Sequence, residues 1–195
     1  MPLGPTPRPQ RTSRALLIIG LYAGLGAIAI VWGALRGHAD IYRIPAALGT
    51  STPAKLAASP VIGLLFGLAV VFLTRLLTHR FEWARVLHRE FHAVVGELSS
   101  REMFILAIAS AVGEELFFRG ALVPQIGVVL GAAVFALLHV RPAARFLPWT
   151  VMSFIVGLVM GQMYVSLGDL GGPMVAHFTI NLINLNYIAR TELRA

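Results

Sequence analysis

The 195-residue chain is 57% apolar and 13% charged, with a mean hydropathy of +0.76, a balance that excludes a soluble globular domain and identifies a polytopic membrane protein. It has no cysteine, which excludes disulfide frameworks, thiolate metal sites and a cysteine nucleophile. Its net charge of +7 reflects membrane topology and not nucleic-acid binding, because the basic residues collect on one side of the spans.

Residues 1–14, rich in proline and arginine, read as a cytoplasmic tail. The apolar run 15–35 is too long for a signal-peptide core and lacks a small-residue cleavage site, so it is expected to stay as an anchor. A second span is predicted at 60–74, giving two N-terminal transmembrane helices within 15–77. In the polar stretch 78–102, Phe81, Leu87, Phe91, Val94, Val95 and Leu98 recur at spacings of three and four, while Arg80, Arg85, Arg89 and Glu90 fall largely elsewhere. That pattern, with Trp83 near its start, predicts a basic amphipathic helix at the cytoplasmic interface. His88 and His92 share a face there at i and i+4, but no carboxylate stands at a matching spacing, so solvated histidines are expected and not a metal pair. Four further spans follow at 104–123, 126–140, 146–167 and 171–189, with a short cytoplasmic tail at 191–195.

The fold class is therefore all-α, a polytopic transmembrane helix bundle of about six spans plus one amphipathic interfacial helix. With the N-terminus in the cytoplasm, twelve basic residues fall inside, Arg36, Arg43 and Lys55 fall outside, and Arg119 lies within a span. Both termini are then cytoplasmic. Glycines paired at i and i+4 (Gly20 and Gly24, Gly63 and Gly67, Gly127 and Gly131, Gly157 and Gly161) are expected to let helix backbones approach closely. No internal repeat is visible, which argues against a transporter built from two similar halves.

Ionisable groups at membrane depth mark functional sites, and here they form three clusters. Glu114, Glu115 and Arg119 share the third span. Glu115 and Arg119 stack one turn apart with the acid nearer the N-terminus, which suits a bracing ion pair. Glu114 points about 100° away and needs a partner from another helix or a water. Phe135 and His139 close the fourth span, and His177 and Asn181 share one face of the last. Asn184 and Asn186 lie further along and read as interfacial. These groups must meet each other or water to be tolerated.

Glu-Glu-x-x-x-Arg at 114–119, Phe-x-x-x-His at 135–139 and His-x-x-x-Asn at 177–181, in that order on successive apolar segments, resemble the CPBP family. These are intramembrane proteases related to type II CAAX prenyl endopeptidases and to bacteriocin-immunity proteins. The resemblance implies a catalytic four-helix core over 103–190 and a bacterial cytoplasmic membrane location. It implies that Glu114 and His139 activate water, that His177 and Asn181 stabilise the oxyanion, and that Glu115, Arg119 and Phe135 support them. The substrate would be a membrane-embedded or lipid-anchored protein or peptide in the bilayer, with no nucleic acid involved, and prenyl specificity is not implied.

The chemistry is consistent with this. A carboxylate beside imidazole in a low-dielectric pocket is a suitable general base. Ser110, Ser153 and Thr179 sit in no nucleophile elbow or dyad spacing. Zinc would accept Glu114, His139 and His177 with a water in fourth place; the same residues satisfy a glutamate mechanism with no cofactor, which is preferred. A proton- or ion-coupled carrier and a non-catalytic immunity or scaffold protein are the competing classes. In straight antiparallel spans, His139 would lie about 20 Å from the outer end and His177 about 9 Å, too far apart to meet. The fourth span, at 15 residues, is also too short to cross. It is therefore expected to end below the surface, or the last span to start deeper, leaving a water-filled funnel open toward the cytoplasm.

Overall fold

A computed structural model describes residues 8–193, with side chains from residue 16 onward. The start of the N-terminal tail and the end of the C-terminal tail lie outside the described residues. Seven α-helices make up the fold: α1 (Arg8–Leu35), α2 (Pro53–Arg80), α3 (Glu82–Val95), α4 (Ser100–Glu115), α5 (Val123–Leu137), α6 (Leu147–Leu167) and α7 (Gly171–Arg190). A π-helical segment, Leu116–Leu122, joins α4 to α5, and a 3-10 turn, Ala144–Phe146, leads into α6. No strand occurs among the described residues apart from an isolated bridge between Arg43 and Asp169.

Four helical runs among the described residues are long and apolar enough to cross a membrane: Leu16–Leu35, Pro53–Arg80, Ser100–Leu137 and Ala144–Leu167. The third is not one rod. Gly127 adopts φ 83° and ψ 170°, outside the helical region and open to glycine alone at no steric cost. The chain reverses there, so that Phe135 packs on Phe118 with ring centroids 5.0 Å apart. The predicted third and fourth spans are thus two limbs of a hairpin. The second limb, residues 128–137, is about 15 Å long and cannot cross the hydrocarbon by itself. Helix α7 is absent from the four because His177, Asn181, Asn184 and Asn186 lower its hydropathy. The polytopic all-α bundle stands.

Local sequence accounts for the helix ends. Thr52 caps α2 by accepting from the Lys55 amide, with Pro53 in the first turn. Ser99 and Glu102 form a capping box at α4. Helix α3 is amphipathic as predicted but shorter than 78–102, because α2 continues to Arg80 and α4 begins at Ser100. It buries Ala84, Leu87, His88 and Val95 and leaves Trp83 outward, stacked on Phe81.

Close helix contacts fall where the side chain is smallest. A Cβ on Gly63 would collide with the Gly172 backbone, and one on Gly67 would lie 2.9 Å from Thr179 Cβ, so α2 and α7 touch nearly backbone to backbone. Gly157 and Gly161 likewise admit Ala132 and Val128 of α5. Gly20 and Gly24 face nothing within 4 Å, and Gly127 serves the reversal and not packing, so those parts of the glycine expectation do not hold. Large side chains such as Leu17, Leu21, Leu65 and Phe72 point outward, as lipid-facing residues do.

At the end opposite α3, the α1–α2 connection closes over the start of α7. The Ile44 amide donates to the Gly168 carbonyl and the Leu170 amide to the Tyr42 carbonyl, both at 3.0 Å. Asp169 accepts from the Gly171 amide at 2.6 Å, and Ser59 from the Gly172 amide at 2.7 Å. These side chains satisfy amide donors that the first turn of a helix leaves unpaired. The start of α7 is thereby buried. Gly63→Ala should lower stability by about 2 kcal/mol through overpacking against Gly172, while Gly20→Ala should change it by less than about 0.5 kcal/mol. Thermal unfolding of the two variants in detergent compares them directly.

Candidate active site

Glu115 ends α4 with its side chain fully buried, and one of its oxygens carries two charge-assisted contacts. Oε1 accepts from Arg119 Nη1 at 2.8 Å and from His177 Nδ1 at 2.7 Å. The π segment supplies Arg119, which is 1% exposed. Its widened turn is closed by the Val123 amide donating to the Phe118 carbonyl five residues back, and such turns recur at functional sites. The Arg119 guanidinium also lies 4.6 Å over the Phe135 ring, and Nη2 reaches the Gly157 carbonyl at 3.4 Å. The bracing pair expected from the spacing is present, and it binds His177 as well.

Glu114 points elsewhere, as its 100° offset requires. Its Oε2 is buried without a hydrogen-bond partner and lies 3.9 Å from His177 Nε2. That separation exceeds a direct hydrogen bond and suits one bridging water. His177 therefore stands between the two acids, with Nδ1 committed to Glu115 and Nε2 turned toward Glu114. One turn along α7, Asn181 Nδ2 donates to Ser110 Oγ at 2.9 Å, and Ser110 in turn donates to the Ala107 carbonyl. Ser110 is thus a partner of Asn181.

His139 follows α5 in a turn. Its Nδ1 bonds the Phe135 carbonyl at 2.7 Å, and its ring packs on Phe135 and Trp149 at 4.4 and 5.7 Å. Phe135 also meets His177 edge-on at 6.4 Å, so one aromatic ring separates the two imidazoles. The axial offset expected between these histidines is removed by the Gly127 hairpin and by the buried start of α7.

A cavity of about 440 Å³ joins these groups. Glu114, His139, His177, Asn181, Ser110 and Phe135 line it, whereas Glu115 and Arg119 lie behind its wall. Its remaining lining is mostly apolar, from α2, α3, α6 and α7, with Arg75 and Arg141 also on its surface. No group of three His, Cys, Asp or Glu that could hold a metal ion is assembled among the described residues.

Three features were not legible in the sequence. Tyr22 of α1 lines the cavity beside Glu114. Asn184 accepts from Arg75 Nη1 at 2.8 Å, and Arg75 stacks 3.6 Å over Tyr187. The α3 histidines are not solvated: His88 Nε2 bonds the Thr191 carbonyl and His92 Nδ1 the Ile188 carbonyl, each at 2.6 Å, fastening α3 to the end of α7. The only available signal for the last pair was their shared helix face.

Arg119→Ala should strand the Glu115 charge and destabilise the protein by about 3–5 kcal/mol, lowering both the melting temperature in detergent and activity. An inactive Arg119→Ala variant of undiminished stability would contradict the bracing role. Burial pushes the His88 imidazole below its ordinary 6.5, against the opposing pull of the Thr191 carbonyl. The fold therefore favours neutral His88: its contribution is complete above pH about 6.5 and is lost as pH falls through the lowered value. Amide exchange across residues 82–95, corrected for intrinsic rates, should quicken on acidification in the wild type and not in His88→Gln.

Residues 98–183 match the family model described as Type II CAAX prenyl endopeptidase Rce1-like, a family of proteases. The chain is also 32% identical over 90 residues to the uncharacterized protein YpbD of Bacillus subtilis (strain 168), covering 46% of this chain and 47% of that protein. The match thus spans about half the length of that relative. No solved structure gives a significant match. Residues 98–183, which carry Glu114, Glu115, Arg119, His139, His177 and Asn181, are thus similar to the Rce1-like type II CAAX prenyl endopeptidases.

Proposed function

We propose that the chain is an intramembrane endopeptidase that hydrolyses a peptide bond in a membrane-embedded or lipid-anchored substrate, with Glu114 as general base. The observation that carries this reading is the pairing of an unbonded, buried carboxylate oxygen of Glu114 with His177 Nε2 at 3.9 Å across a cavity inside the helix bundle. Water in that gap touches a base on one side and an imidazole on the other.

In the proposed reaction, Glu114 takes a proton from the water while the water oxygen bonds the scissile carbonyl carbon, with His139 assisting from the facing wall. Negative charge moves onto the carbonyl oxygen. His177, donating through Nε2, and the Asn181 amide, steadied by Ser110, receive it; preorganised donors of this kind contribute about 3 kcal/mol each. The carbon–nitrogen bond then breaks, Glu114 returns the proton to the leaving amine, and a new C-terminus and N-terminus depart. Glu115 and Arg119 hold His177 in place and touch no substrate. No step passes through a metal.

The apolar lining suits a hydrophobic polypeptide segment or anchor. By the charge rule the end bearing Arg75 and Arg141 faces the cytoplasm, as do both termini, so substrate would enter from that side.

Reconstitution of the full chain in phospholipid vesicles with membrane-anchored reporter peptides tests the reading. Wild type should cleave, Glu114→Gln and His177→Ala should each lose at least about 100-fold in kcat, and chelator should leave the wild-type rate unchanged. Ion or proton flux without cleavage would instead identify a carrier.

A further inference from the structure

The matched segment begins at residue 98, yet one wall beside Glu114 comes from α1, far upstream. Gly113, immediately before Glu114, explains how. A Cβ there would lie 2.5 Å from the Tyr22 carbonyl oxygen and 3.0 Å from Tyr22 Cβ, so α1 crosses α4 in backbone contact at this glycine. One turn further along α1, Gly26 continues the approach, with its Cβ position 3.4 Å from Leu116 and 3.9 Å from the Gly113 Cα. The crossing sets the half-buried Tyr22 side chain in the cavity wall shared with Glu114, His139, His177 and Asn181, where its phenol is close enough to the Glu114 carboxylate to interact with it.

We propose that Tyr22 is a positioning residue for Glu114, holding the carboxylate so that its unbonded oxygen faces His177 and the cavity. The inference rests on the hydrolytic reading and extends it to a helix outside the matched segment. A free glutamate side chain samples many rotamers, and fixing one costs about 1.5–2 kcal/mol. A tether that fixes it before substrate arrives removes that loss from the reaction. A phenol suits the task because it is neutral: it donates to the carboxylate without forming an ion pair that would suppress its basicity, as an arginine would. It also leaves Oε2 available, whereas Glu115, held by two cationic partners, is spent on structure.

Tyr22→Phe deletes one oxygen and keeps the ring packing. In vesicles containing the full chain and a reporter peptide that wild type cleaves, kcat should fall about 10- to 100-fold, the rate equivalent of one hydrogen bond to a charged group, with KM within about twofold. The melting temperature in detergent should match wild type. Unchanged kcat in Tyr22→Phe alongside an inactive Glu114→Gln would overturn this proposal and leave the hydrolytic reading standing. Undiminished cleavage by Glu114→Gln would overturn that reading itself. Loss accompanied by raised KM and a lower melting temperature would assign Tyr22 to packing alone and also overturn the proposal. A substrate-free measurement stands beside these: infrared difference spectra against Glu114→Gln assign the Glu114 carboxylate band, which Tyr22→Phe should shift, and an unmoved band would overturn the proposal even before a cleaved peptide is found.

Discussion

A carboxylate sealed among lipid-facing helices is tolerated only when its charge is matched at contact distance, and Glu115 is matched twice on one oxygen. Arg119, the first partner, which sits in the π segment, contacts two further parts of the bundle through its stacking on Phe135 and its reach to the Gly157 carbonyl. His177, the second, brings in α7. One ion pair therefore couples α4, α5, α6 and α7 around a point, and the orientation of the His177 ring is set there. Because Nδ1 is occupied at Glu115, only Nε2 is left to face Glu114, and the geometry of the site follows from a bond made outside its cavity.

Burial from water supplies no driving force between helices in lipid, so the bundle relies on contact over small residues and on hydrogen bonds between helices. Gly63 and Gly67 let α2 press against α7, and Gly157 and Gly161 let α6 press against α5. Gly113 does the same for α1 beside the acid pair. At one end, Ser59 and Asp169 satisfy the amides of the buried α7 terminus; at the other, two histidines of α3 take the carbonyls of its last turns. Helix α7, which carries His177 and Asn181, is thereby clamped at both ends.

Much of this was legible from residue spacing. Six apolar runs and one amphipathic stretch appear as helices, and the i to i+4 step from Glu115 to Arg119 gave the ion pair. The second partner of Glu115 was not legible, since nothing in the sequence says which helix face will turn toward a given acid. The expectation that the fourth span was too short to cross proved informative, because it pointed to the reversal that brings Phe135 beside both imidazoles. Gly127 was misread as a packing glycine: a small residue at i and i+4 has the same appearance whether it serves close approach or a positive φ. Tyr22 carried no signal at all. An aromatic residue in an apolar span looks like any other until a neighbouring helix places an acid beside its hydroxyl.

The Gly127 reversal also bears on how the bundle is assembled. A ten-residue limb has too little apolar length to partition into a bilayer alone, so it must enter as the returning arm of a hairpin with the acidic limb before it. The ring of Phe135 is then delivered alongside the guanidinium it covers, and the polar pair never confronts lipid bare. Lengthening that bend would decouple the two arms during biogenesis, long before any chemistry is attempted.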